Sequence, residues 1–85
     1  MPRVFVPSMF GLPIGDPIDV AARTLGEVVS ALRVSHPELA AKIMDGERLA
    51  PWLSVVVDGD LFPKSLAAEI PAQGEIHFIP AISGG

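Results

Sequence analysis

The chain has 85 residues, 49% apolar and 19% charged, with a net charge of −4; that is one small domain, too apolar to stay disordered. Its six Lys and Arg residues are scattered, whereas nucleic-acid binders cluster theirs, so no nucleic-acid partner is expected. Cysteine is absent, which excludes disulfides, thiolate metal sites and cysteine nucleophiles; no apolar run approaches the ~20 residues of a membrane span and no signal-peptide core is present, so a cytoplasmic location is expected.

Arg3-Val4-Phe5-Val6-Pro7 reads as a first strand, with Val4 and Val6 on one face and Arg3 and Phe5 on the other. Gly11, Pro13, Gly15 and Pro17 mark a turn region. Pro17 to Ala21 alternates apolar and polar residues and predicts a second strand paired with the first. Thr24-Leu25-Gly26-Glu27 fits a capping box, in which the Thr hydroxyl takes the amide of the third helical residue and the Glu side chain reaches back. Leu25, Val28, Val29 and Leu32 then form one apolar stripe. His36-Pro37 ends this helix, because a residue before proline avoids the α region. Pro37 is suited to open a second short helix, with Leu39, Ala40, Ile43 and Met44 on its buried side and Asp45-Gly46-Glu47 as its exit.

Trp52 to Val57 is a strand by its β-branched content, and Asp58-Gly59 is a tight-turn signal. Asp60-Leu61-Phe62 reads as a short return strand, confined to an edge by Pro63. Leu66 to Pro71 is a connector, Ala72-Gln73-Gly74-Glu75 a polar turn, and Ile76 to Ile79 the last strand, which needs a central place to bury Ile76 and Phe78. Two strands, a helix and then more strands predict an α+β fold of the β-grasp kind: a mixed sheet of four to five strands with one main helix and a second short one. The expected division is a β-grasp domain over 1–79 and a flexible tail over 80–85.

No residue set points to catalysis. The serines lack a G-x-S-x-G context, no carboxylate pair suggests acid–base work, and His36 and His77 lie on different elements without a third metal ligand at the right spacing. Trp52 reads as core or strand-edge packing rather than as a recognition aromatic. The tail is more informative. Gly84-Gly85 has no Cβ atoms, so it makes a thin end suited to a narrow channel, and the Gly85 carbonyl carries no side chain to hinder a nucleophile. A carboxylate is unreactive until activated, which implies a partner that uses ATP. The sheet face turned away from the helix would carry Phe5, Val56, His77 and Ile79; with Ile82 of the tail these form a candidate docking patch.

The whole chain resembles the ThiS/MoaD family of ubiquitin-like sulfur carriers. The resemblance lies in Val4-Phe5-Val6, in Thr24-Leu25-Gly26-Glu27, in Leu53 to Gly59, and above all in the run from Gly74 to Gly85: a strand, a proline, small or apolar residues and Gly-Gly. It implies that an adenylyltransferase of the ubiquitin-activating type adenylates Gly85, that a sulfur donor converts the adenylate to a thiocarboxylate, and that a downstream biosynthetic enzyme accepts the sulfur. Gly85 is then the reacting residue, and Gly84 and Ser83 thread the channel. The chain would be a cosubstrate and not an enzyme, with no permanently bound cofactor. The sequence departs from the family at Ala72-Gln73-Gly74-Glu75, where an acidic Asp-Gly-Asp type of turn is common, and at Ile79-Pro80-Ala81-Ile82, where Pro-Pro-Val is common. The extra length from Pro37 to Pro51 leans toward the molybdopterin-type or cysteine-synthesis-type branches. Two other readings stay open: a ubiquitin-like modifier that joins the same glycine to target lysines, and a β-grasp binding domain whose glycines are incidental.

Overall fold

Val4, Val6, Leu53, Val55, Val57, Ile76 and Phe78 must leave water together, and the sheet is ordered so that they do. The computed structural model describes residues 1–6, 11 and 17–80. Its elements run β1 (Arg3–Phe5), β2 (Ile18–Asp19), α1 (Leu25–Ser35), α2 (Pro37–Ile43), β3 (Met44–Asp45), β4 (Arg48–Leu49), β5 (Leu53–Val57), β6 (Asp60–Leu61) and β7 (Glu75–Pro80). The main sheet has the order β2-β1-β7-β5-β6. β7 lies at the centre, parallel to β1 and antiparallel to β5. All seven apolar residues are buried on the helix side, Ile76 and Phe78 completely. This is the mixed β-grasp sheet that the alternation predicts. No helix of the described residues is long and apolar enough to cross a membrane.

The α1 stripe is buried as expected, at Leu25, Val28, Val29 and Leu32. The Thr24 hydroxyl accepts the Glu27 amide at 3.2 Å. Glu27, however, reaches one residue further back than a capping box requires, and its Oε1 accepts the Arg23 amide at 2.8 Å. The Leu25 and Gly26 amides donate instead to Ala68 and Leu66 carbonyls at 3.0 and 2.8 Å, and the Ile70 amide returns a bond to the Arg23 carbonyl. The connector after β6 is therefore a clasp that satisfies helix amides which would otherwise lack partners.

Several boundaries differ from the sequence reading: β1 ends at Phe5, β2 spans Ile18–Asp19, β5 begins after Trp52, β6 stops before Phe62 and β7 begins at Glu75. Asp45-Gly46-Glu47 is not simply a helix exit: β3 and β4 pair as a small hairpin, with Gly46 at φ +69° and Asp45 bridging Arg48 at 3.5 Å. Met44 packs half-buried against the core as expected, but it caps α2 and opens that hairpin instead of lying within the helix. The last strand continues past Ile79, because Pro80 pairs with Leu53. The hairpin turn at Asp58-Gly59 forms as expected, with φ +51° and +86°, values that glycine and a short polar residue tolerate best. Asp58 also ties the sheet together: its Oδ1 accepts the Glu75 amide at 2.9 Å and its amide donates to the Glu75 carbonyl at 3.0 Å.

Candidate functional site

The expected docking residues fall on one surface because strand register puts them there. Phe5 is opposite His77, His77 is opposite Val56, and Val56 is opposite Leu61. Directly paired residues share a face, and neighbouring strands are about 4.8 Å apart, so this row crosses roughly 14 Å of sheet. The Phe5 and His77 rings stack with centroids 4.6 Å apart and planes within 6°. The stack and Val56 are half-buried, while Ile79, two residues along β7 and opposite Ser54, is more open.

The face is graded along β7. Near its start, Arg3 is opposite both Asp19 and Glu75 and pairs with Asp19 at 3.6 Å. Toward its end the row passes through His77 to Ile79, one residue before Pro80, the last described residue. The apolar part thus lies toward the C-terminal end of β7. An open groove of about 620 Å³ between the first turn of α1 and residues Met1, Glu69 and Ile70 lies at the other end. Among the described residues, no three His, Cys, Asp or Glu side chains gather to hold a metal ion.

Of the residues expected to carry function, Phe5, Val56, His77 and Ile79 come together. Ile82, Ser83, Gly84 and Gly85 lie outside the described residues. Two members of the surface are missing from the sequence reading. Leu61, 80% exposed, faces Val56; the two-residue Asp58-Gly59 turn already fixes that register and was the signal for it. Trp52 is 46% exposed beside Pro80 rather than packed in the core, for reasons that lie in its turn. The Leu53 amide donates to the Ala50 carbonyl, closing a turn with Pro51 and Trp52 at its tip.

Three solved structures share this fold over nearly their whole length. The Amycolatopsis orientalis BexX/CysO complex contains a chain 20% identical, each chain covered in full, with a TM-score of 0.80. Mycobacterium tuberculosis CysO is 21% identical over 96% of this chain and 100% of its own, with a TM-score of 0.79. Haloferax volcanii SAMP1 is 24% identical over 99% and 98%, with a TM-score of 0.69. At such identities the likeness shows the β-grasp fold. No curated protein matches the sequence significantly. The ThiS family model matches residues 16–85, and together with the fold this supports a ubiquitin-like sulfur carrier or modifier: the chain belongs to the ThiS family.

Proposed function

We propose that the chain is a sulfur carrier whose Gly85 carboxylate is activated by a partner and loaded with sulfur. The observation that carries this reading is the place of β7: the central strand of the sheet, beside an apolar row, ends at Pro80, five residues before Gly85 in the sequence. In an adenylyltransferase, a carboxylate oxygen of Gly85 attacks the α-phosphorus of ATP. An acyl–O–P bond forms and pyrophosphate leaves. Hydrosulfide, already released by a donor, then attacks the carbonyl, a C–S bond forms as the acyl–O–P linkage breaks at the carbonyl carbon, AMP leaves, and a thiocarboxylate remains for a biosynthetic enzyme to take. The ATP belongs to the partner, and the carrier is consumed and regenerated rather than acting as a catalyst. The row of Phe5, His77, Val56 and Ile79 is where these partners dock; the A. orientalis relative was solved in complex with BexX.

A second reading has its own support, since one structural neighbour is described as small archaeal modifier protein 1. On that reading a lysine amine displaces AMP and forms an isopeptide bond. Pyrophosphate exchange tests the step common to both readings. An adenylyltransferase from the same organism should exchange labelled pyrophosphate into ATP with the full chain and not with a chain lacking Gly85. Equal exchange with both chains, or none with either, overturns the role of Gly85.

A further inference from the structure

We infer that Trp52, held on a braced turn near the C-terminal end of β7, is the anchor by which the activating protein grips this carrier. The inference rests on the carrier reading for the reacting end and adds the contact that positions it. On that reading the reacting carbonyl is on Gly85, five residues beyond Pro80. Five residues span at most about 18 Å when fully extended. A protein that encloses residue 85 must therefore come within about 18 Å of Pro80, which brings the surface around Pro80 within its reach.

Trp52 is an exposed part of that surface. Leu53 pairs with Pro80, the last residue of β7, so the preceding Trp52 stands near the C-terminal end of that strand. The turn is fixed from several sides. Pro51 restricts its backbone. The Ala50 amide donates to the Ile43 carbonyl at the end of α2 at 2.9 Å, and the Leu53 amide donates back to the Ala50 carbonyl at 3.0 Å. Lys64, from the loop after β6, donates its ammonium to the Ala50 carbonyl at 2.8 Å and the Pro51 carbonyl at 3.4 Å. Ala50 itself is buried, whereas Trp52 keeps 46% of its surface exposed. An indole presented on an immobilised turn loses little conformational entropy on docking, which is the condition under which tryptophan dominates an interface. The partner then needs an apolar recess for the indole next to the channel that takes the tail. Lys64 acts as a positioning residue: it holds the turn and need not touch the partner.

Trp52 is the only tryptophan in the chain, so its environment can be followed without mutation. The chain is labelled with 5-fluorotryptophan and mixed with the adenylyltransferase that supports pyrophosphate exchange with the wild-type chain. The Trp52 fluorine resonance should shift and broaden, and it should do so equally for a chain lacking Gly85, which docks without reacting. In exchange kinetics, Trp52→Ala should raise the carrier KM about thirty-fold with kcat changed less than two-fold. Val34→Ala, which truncates an 87%-exposed apolar residue of α1, should change neither. An unmoved resonance at saturating enzyme, or a folded Trp52→Ala chain with wild-type KM, overturns the inference and leaves the role of Gly85 standing. If the wild-type chain itself supports no exchange, the role of Gly85 falls, and the inference with it.

Discussion

Gly26→Ala reverses the usual sign of a helix substitution. In an open helix, alanine in place of glycine gains up to about 1 kcal/mol. Here a Cβ on residue 26 would lie 2.9 Å from the Leu66 carbonyl oxygen and 3.3 Å from the Leu66 Cβ. The obstacle is backbone, and it is the same carbonyl that accepts the Gly26 amide at 2.8 Å. The clasp must retreat, which costs about 0.5–1.5 kcal/mol for the hydrogen bond and about 1–3 kcal/mol for the overpacking. Set against the helical gain, the net loss is about 2 kcal/mol. For a domain of this size that corresponds to a fall in melting temperature of roughly 8–16 °C. Thermal and urea unfolding followed by circular dichroism measure it, with Ser30→Ala on the exposed side of α1 as a control expected to shift stability by no more than about 0.5 kcal/mol. A Gly26→Ala chain as stable as the wild type would refute the close approach of Leu66 to α1.

Asp58→Ala should cost about 1–2 kcal/mol in urea unfolding, because it removes the acceptor for the Glu75 amide and places alanine in the left-handed region at φ +51°; Asp58→Asn should recover most of the loss. Phe78→Ala opens the centre of the sheet at a fully buried side chain and should cost about 3–5 kcal/mol, visible as loss of the cooperative unfolding transition at 37 °C. Ile79→Asp alters an exposed position of the apolar row; the chain should unfold within about 0.5 kcal/mol of wild type yet bind its activating partner at least ten-fold more weakly in titration calorimetry. Full-strength binding by that variant would remove the open sheet face from the docking account.

What was legible in the sequence was local. The Leu25–Leu32 stripe, Thr24 as a cap, the break at His36-Pro37 and the Asp58-Gly59 turn each depend on residues within one turn or one hairpin, and each is found where the spacing puts it. The centre of the sheet was legible because Ile76 and Phe78 need burial on a strand too apolar for an edge. The features that escaped depend on partners distant in sequence. Glu27 bonds Arg23 rather than Thr24 while the connector carbonyls of Leu66 and Ala68 serve the neighbouring helix amides. The β3–β4 hairpin is two residues long on each side, too short for alternation to register, so its Asp45-Gly46 signal read as a helix exit. Trp52 read as packing because its β-branched neighbours form a strand; the turn that exposes it is braced by Ile43 and Lys64, which the pattern around Trp52 does not announce. Of the candidate site, the alternation of β1, β5 and β7 located Phe5, Val56, His77 and Ile79 on one face, while Leu61 required the register of the hairpin.

The most direct test of the account is the intact mass of the chain after incubation with an adenylyltransferase of its own organism, ATP and a sulfide source. The account predicts a gain equal to the exchange of one oxygen for one sulfur, mapped by fragmentation to Gly85 and lost when ATP is omitted. An unchanged mass under conditions in which the enzyme is shown to be active, or sulfur fixed anywhere other than the final carboxylate, would contradict it.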